Sequence, residues 1–189
     1  MPLFRHYFCM QYSRRRLPHL HEVGRTVFLT WRLKDSLPPG RRFPVENLTS
    51  GEAFVAWDRL LDEGRCGPMH LAIPEVADLT VSAIRHYEAT GHYALHAFAV
   101  MPNHVHMLIT PALDLPSIMR ALKAYTARKS NEILASTGKT FWQDESFDRL
   151  VRDRDEFGRI RRYIAANPVK AGLVGEASLY RWSSAWVGL

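Results

Sequence analysis

The sequence predicts an α+β fold, a ferredoxin-like or RRM-like antiparallel sheet with helices packed on it. Strand-like and helix-like runs follow one another in the core order β-α-β-β-α-β. Two of the strands are separated only by a Met-Pro-Asn turn, which forces a hairpin and hence antiparallel pairing. The helical runs carry apolar faces that need a sheet to cover.

The elements follow in order. Residues 1–24 are basic, include Pro18 and show no period, so they read as an N-terminal arm; residues 25–189 read as a single domain. TVFLTWRL (26–33) is rich in β-branched and aromatic residues and reads as a strand. DSLPPGRRFP (35–44) is a loop by its prolines and glycine. After Ser50, Phe54, Trp57, Leu60 and Leu61 recur at helical spacing until Gly64. PEVADLTVSAIRHYEATG (74–91) is a second helix, with Val76, Leu79, Ile84 and Tyr87 as its inner face.

YALHAFAVMP (93–102) and HVHMLITP (104–111) form the hairpin. The helix over 114–137 has an apolar stripe of Leu115, Ile118, Met119, Leu122, Tyr125 and Ile133. FWQDESFDRLV (141–151) is a strand with a bend. The last helix spans 153–167: Asp153 opens it, Glu156 sits where a capping box has its far half, and Asn167-Pro168 ends it.

The chain has 189 residues, of which 47% are hydrophobic, enough for a globular core. No apolar run spans a membrane and no secretory leader is visible, so a cytoplasmic protein is expected. Cys9 and Cys66 have no partner motif, which argues against a cysteine metal site or disulfide framework. The formal charge is +6; most of the basic residues are arginines, many of them clustered, and guanidinium forks match phosphate geometry.

The chemistry concentrates in MPNHVHMLIT (101–110). Strand alternation puts His104, His106 and Leu108 on one face and Val105, Met107 and Ile109 on the other. The two imidazoles lie about 7 Å apart at their Cα atoms, a spacing that suits two ligands of one metal ion. On spacing alone, a His-x-His pair more often reflects buried, hydrogen-bonded or exposed histidines. His19 and His21 share it, but they follow Pro18 in the basic arm with no apolar strand of their own, so they read as structural or phosphate-facing. Further ligands are available at Asp144, Glu145, Asp148 and Asn167. Tyr163 and Asn167, four residues apart, are neighbours on one helix face, flanking a buried stripe of Phe157, Ile160 and Ile164. Tyr125 falls on the apolar stripe of the preceding helix and reads as core.

MPNHVHMLI, followed by FWQDESFDRLVRDRDEFGRIRRYIAANPVKAGLV (141–174), resembles the REP-associated tyrosine transposases of the HUH single-strand nuclease and transposase superfamily. The resemblance implies that His104 and His106 are metal ligands, that Asn167 is the third, and that Tyr163 is the nucleophile. It implies Mg2+ or Mn2+ as cofactor and single-stranded DNA with hairpin structure as partner. The activity implied is that of an endonuclease and strand transferase in DNA transposition, acting through a covalent 5′-phosphotyrosine. Arg14, Arg15, Arg16, Arg161, Arg162 and Lys170 are expected to hold the DNA backbone. Exposed aromatics among Trp31, Phe141, Trp142 and Trp182 could stack bases, half or more of them being plain core. A hairpin-binding protein that does not cut, and a domesticated nuclease without transposition activity, remain open, as does monomer against homodimer. An RNA-binding sheet module would need an aromatic-rich RNP pattern, which the strands lack.

Overall fold

The structure, a computed structural model, describes residues 11–14, 18–21, 23–37, 61 and 67–188. Its centre is a four-stranded antiparallel sheet. β3 (Val27–Leu33), β4 (Tyr93–Val100), β5 (His104–Pro111) and β6 (Trp142–Leu150) take the spatial order β4-β5-β3-β6. α1 (Pro74–Ala89) precedes β4, α2 (Leu115–Ile133) links β5 to β6, and α3 (Arg154–Lys170) follows β6. This is the expected ferredoxin-like arrangement. Among the described residues no helix is long and apolar enough to cross a membrane.

Strand alternation splits the core in two. Leu29, Trp31, Val105, Met107 and Ile109 face α1 and α2, where Val76, Ile84, Ile118 and Leu122 complete one cluster. Phe28, Ala97, Ala99 and Leu108 face the other way and pack on Ile164, with Phe157, Ile160 and Tyr163 at its margin. His104 and His106 share the parity of Leu108, so they project towards α3.

Several expectations need correction. The first 24 residues contain a strand pair, β1 (Gln11–Arg14) with β2 (Pro18–His21), so His19 and His21 do lie on a strand. Polar residues alternating there with few apolar ones leave no readable period. The inner face of α1 is Val76, Ala77, Thr80, Ala83 and Ile84; Leu79 and Tyr87 are half-buried. On α2 the stripe turns after Leu122 to Thr126, Ser130 and Asn131, leaving Tyr125 and Ile133 exposed at 40% and 46%. Thr126 tolerates burial because its hydroxyl donates to the Leu122 carbonyl at 2.7 Å. Of the helix expected before Gly64, only Leu61 falls among the described residues, helical and buried.

α3 does not stop at Asn167. It passes through Pro168 to Lys170. Proline's φ of about −65° is helical, so what it removes is one N–H, the donor that the Ile164 carbonyl would have received. At the other end Asp153 caps the helix, accepting from the Glu156 N–H at 2.7 Å. Glu156 itself reaches Arg152 and Arg149 rather than returning to Asp153. Its carboxylate accepts from the Arg152 N–H at 2.8 Å, Arg152 Nε at 3.0 Å and Arg149 Nη2 at 2.6 Å.

The segment after α3 runs beside β4. Tyr180 donates its hydroxyl to the Val100 carbonyl, and the Val100 and Ser184 N–H groups bond to Trp182 and Phe98 carbonyls. Arg181 and the Trp182 indole both donate to Asp78 on α1.

Burial pushes the Glu156 carboxyl pKa up, but hydrogen bonds from Arg152 and the charge of Arg149 outweigh it, so the net shift is downward. A carboxyl with a depressed folded pKa contributes stability above its unfolded value, about 4.3, and loses it as pH falls through the folded value. Glu156→Gln should therefore cost about 1–3 kcal/mol at neutral pH. Thermal unfolding followed against pH should show the gap to wild type closing below about pH 4; a gap independent of pH would contradict this role.

Candidate active site

The site forms where β5 meets α3. His104 and His106 are both fully buried, with Nε2 atoms 2.9 Å apart and rings inclined at 75°. The Asn167 side-chain amide nitrogen lies 2.9 Å from His106 Nε2, and Asn167 is also fully buried. Of the downstream candidates whose side chains are described, Asn167 is the one brought to the histidines. Asp148 pairs with Leu29, on the opposite sheet face, and Asp144 is exposed while its carbonyl accepts from Lys123. The side chain of Glu145 lies outside the described residues.

The outer nitrogens of both rings are held. The Asn103 amide donates to the Leu61 carbonyl at 2.9 Å, which fixes its oxygen towards His104 Nδ1 at 2.6 Å. A carbonyl oxygen can only accept, so His104 carries a proton on Nδ1. His106 Nδ1 meets the Thr30 hydroxyl at 2.7 Å. Thr30 stands opposite His106 in the β3–β5 register, so the sheet itself delivers this partner.

These contacts decide whether the cluster suits a cation. With the Asn167 amide donating to His106 Nε2, that nitrogen presents a lone pair. It faces His104 Nε2 at 2.9 Å, and two lone pairs approach so closely only with a proton or a metal ion between them. Imidazole nitrogens held at Nδ1 by a hydroxyl and an amide oxygen are oriented as metal-bound histidines are. An amide turned to offer its oxygen would supply a third donor. Among the described residues no group of three His, Cys, Asp or Glu is arranged to hold a metal ion.

Tyr163 is half-buried, one helical turn before Asn167. Its ring centroid is 5.9 Å from that of His106 and 6.2 Å from that of Phe28, both edge-on. Phe28 in turn stacks on His106 at 5.8 Å. Lys170 Nζ lies 4.8 Å from the Tyr163 ring centroid. Tyr125 is on α2, behind the sheet, so its separation from the histidines follows from topology rather than from the burial expected of it.

Arg161, Arg162 and Lys170 are exposed on α3. Arg14 contributes its backbone to β1, and Arg15 and Arg16 lie outside the described residues. Trp31, Phe141 and Trp142 are core and cannot stack bases; Trp182 is half-buried against Asp78. Thr30, Asn103 and Phe28 were not singled out as site residues. Thr30 and Phe28 share a face of one strand, and Asn103 sits in the hairpin turn, so only the β3–β5 register could have signalled their role.

The fold thus presents a His-x-His strand of a ferredoxin-like sheet beneath a tyrosine-bearing helix. The chain belongs to the IS200-like transposase family, whose model matches residues 71–167, slightly more than half of the sequence. The fold is also that of a solved REP-associated tyrosine transposase bound to a REP hairpin, with a TM-score of 0.56 and 20% identity, covering 97% of this chain and 82% of that one. A crystal structure of a transposase-like protein from Deinococcus radiodurans aligns with a TM-score of 0.42 and 18% identity, covering 88% and 98%. No curated protein matches the chain.

In metal-free protein, nitrogen-edited NMR of the imidazoles should show a proton on His104 Nδ1. An unprotonated Nδ1 would contradict the Asn103 contact.

Proposed function

We propose that the protein is a metal-dependent, single-stranded DNA endonuclease and strand transferase that acts on hairpin DNA during transposition. The observation that carries this reading is the convergence of His104 and His106 from β5 with Asn167 from α3, one helical turn from Tyr163. The hairpin-bound relative of the same fold supports DNA hairpins as the substrate class.

Breaking a DNA strand at phosphorus needs a nucleophile, alignment and charge neutralisation. Mg2+ or Mn2+ held by His104, His106 and Asn167 would neutralise charge on the scissile phosphate. Tyr163 supplies the nucleophile. Its oxygen bonds to phosphorus, the bond to the 3′ oxygen breaks, the phenolic proton leaves to solvent and the 3′ oxygen takes one up. The product is a 5′-phosphotyrosine and a free 3′ hydroxyl. Because the ester bond energy is kept in the adduct, the same tyrosine can pass the strand to another 3′ end. The imidazoles and the amide carry no negative charge, so nothing in the cluster repels the phosphate. Arg161 and Arg162, exposed on α3, would contact the DNA backbone.

His104, His106 and Asn167 have no solvent exposure, while Tyr163 does. A phosphate approaching from solvent therefore meets Tyr163 first. The same burial favours a second reading, in which the protein binds DNA hairpins without cutting them.

Protein incubated with Mn2+ and a hairpin-bearing single-stranded oligonucleotide should yield a covalent adduct on a denaturing gel, and Tyr163→Phe should abolish it. An adduct persisting in Tyr163→Phe would sink the nucleophile assignment. Tight hairpin binding with no adduct in Mg2+ or Mn2+ would select the second reading.

A further inference from the structure

The continuation of α3 through Pro168 brings Lys170 to Tyr163. Seven residues along an α-helix turn through two revolutions less about 20°, so positions 163 and 170 lie on the same side. Helical side chains lean towards the N-terminus. The Lys170 stem therefore runs back along α3, and its ammonium ends 4.8 Å from the Tyr163 ring centroid. Had the helix ended at Asn167, this placement would be lost. The ring is flanked elsewhere by the His106 ring and Phe28. A cation on one side and two rings on the others thus flank the tyrosine ring.

We propose that Lys170 is a positioning residue for the nucleophile rather than a contact to the DNA backbone. Its ammonium, held on the face of the Tyr163 ring, keeps the ring in the rotamer from which the hydroxyl attacks. The charge is essential to this, because a cation is attracted to the π-face whereas a neutral chain of equal length only packs there. Pro168 stiffens the segment between the two residues. The inference rests on the reading of Tyr163 as nucleophile, but the ring's confinement can be tested without any chemistry.

Two measurements test it on the full chain. First, NMR rotamer populations of Tyr163 without DNA should show one dominant χ1 state in wild type and in Lys170→Arg, and averaging in Lys170→Met. A single unchanged rotamer in Lys170→Met overturns the proposal whether or not the protein cuts DNA. Second, the rate of adduct formation with Mn2+ at saturating hairpin oligonucleotide should fall roughly tenfold in Lys170→Met. The affinity for the oligonucleotide should stay within about twofold, and Lys170→Arg should recover most of the rate. A rate fully restored by more DNA would mean that Lys170 is a backbone contact. Lys170→Arg performing no better than Lys170→Met would mean that bulk and not charge matters. Tyr163→Phe is run alongside: an adduct there overturns the nucleophile reading and leaves the rotamer result to decide on Lys170.

Discussion

The centre of the molecule depends on a contact between sheet and helix, the Asn167 amide against His106 Nε2 at 2.9 Å. It joins positions 61 residues apart and has no slack. A one-residue slip of β5 would turn both imidazoles into the α1–α2 core. A rotation of α3 by one residue would carry Asn167 away by about 100°. What prevents both is apolar packing: Phe28, Leu108 and Ile164 seat α3 on the sheet, and the Asp153 cap fixes where the helix begins.

Burying five polar side chains in that packing is costly unless each is paired. Thr30, Asn103, His104 and His106 meet the cost through one another, through the Leu61 carbonyl and through the Asn167 amide nitrogen. Such a network is stiff, since losing one member strands the next. Rigidity of this kind is what a site needs when its donors must converge on a single point.

Much of this was legible in the sequence, and the reason lies in the period of two. β5 starts and stops where its apolar run does, and alternation alone put His104 and His106 on the face of Leu108. The spacing of Tyr163 and Asn167 worked because i and i+4 always share a helix face. The wider helix period is more forgiving. On α2 the stripe could be continued through Tyr125 or through Thr126, and the choice fell to the polar residue because its hydroxyl bonds to its own helix. Pro168 misled for a related reason: proline is penalised for the hydrogen bond it loses, yet one lost bond near a C-terminus is tolerated when packing holds the turn. Thr30 and Asn103 were invisible because their roles exist only once β3 and Leu61 are set beside β5. The β1–β2 pair has no apolar alternation to betray it.

The segment that follows α3 has a consequence for assembly. An edge strand normally offers its backbone groups to any passing chain. Here the Phe98 carbonyl and both backbone groups of Val100 are taken by Tyr180, Trp182 and Ser184 of the same polypeptide, and Arg181 is clamped to Asp78. Sheet extension by a neighbouring molecule along β4 would first have to peel this strap away. Over Phe98–Val100, strand addition by a neighbouring molecule would compete with this segment of the same chain.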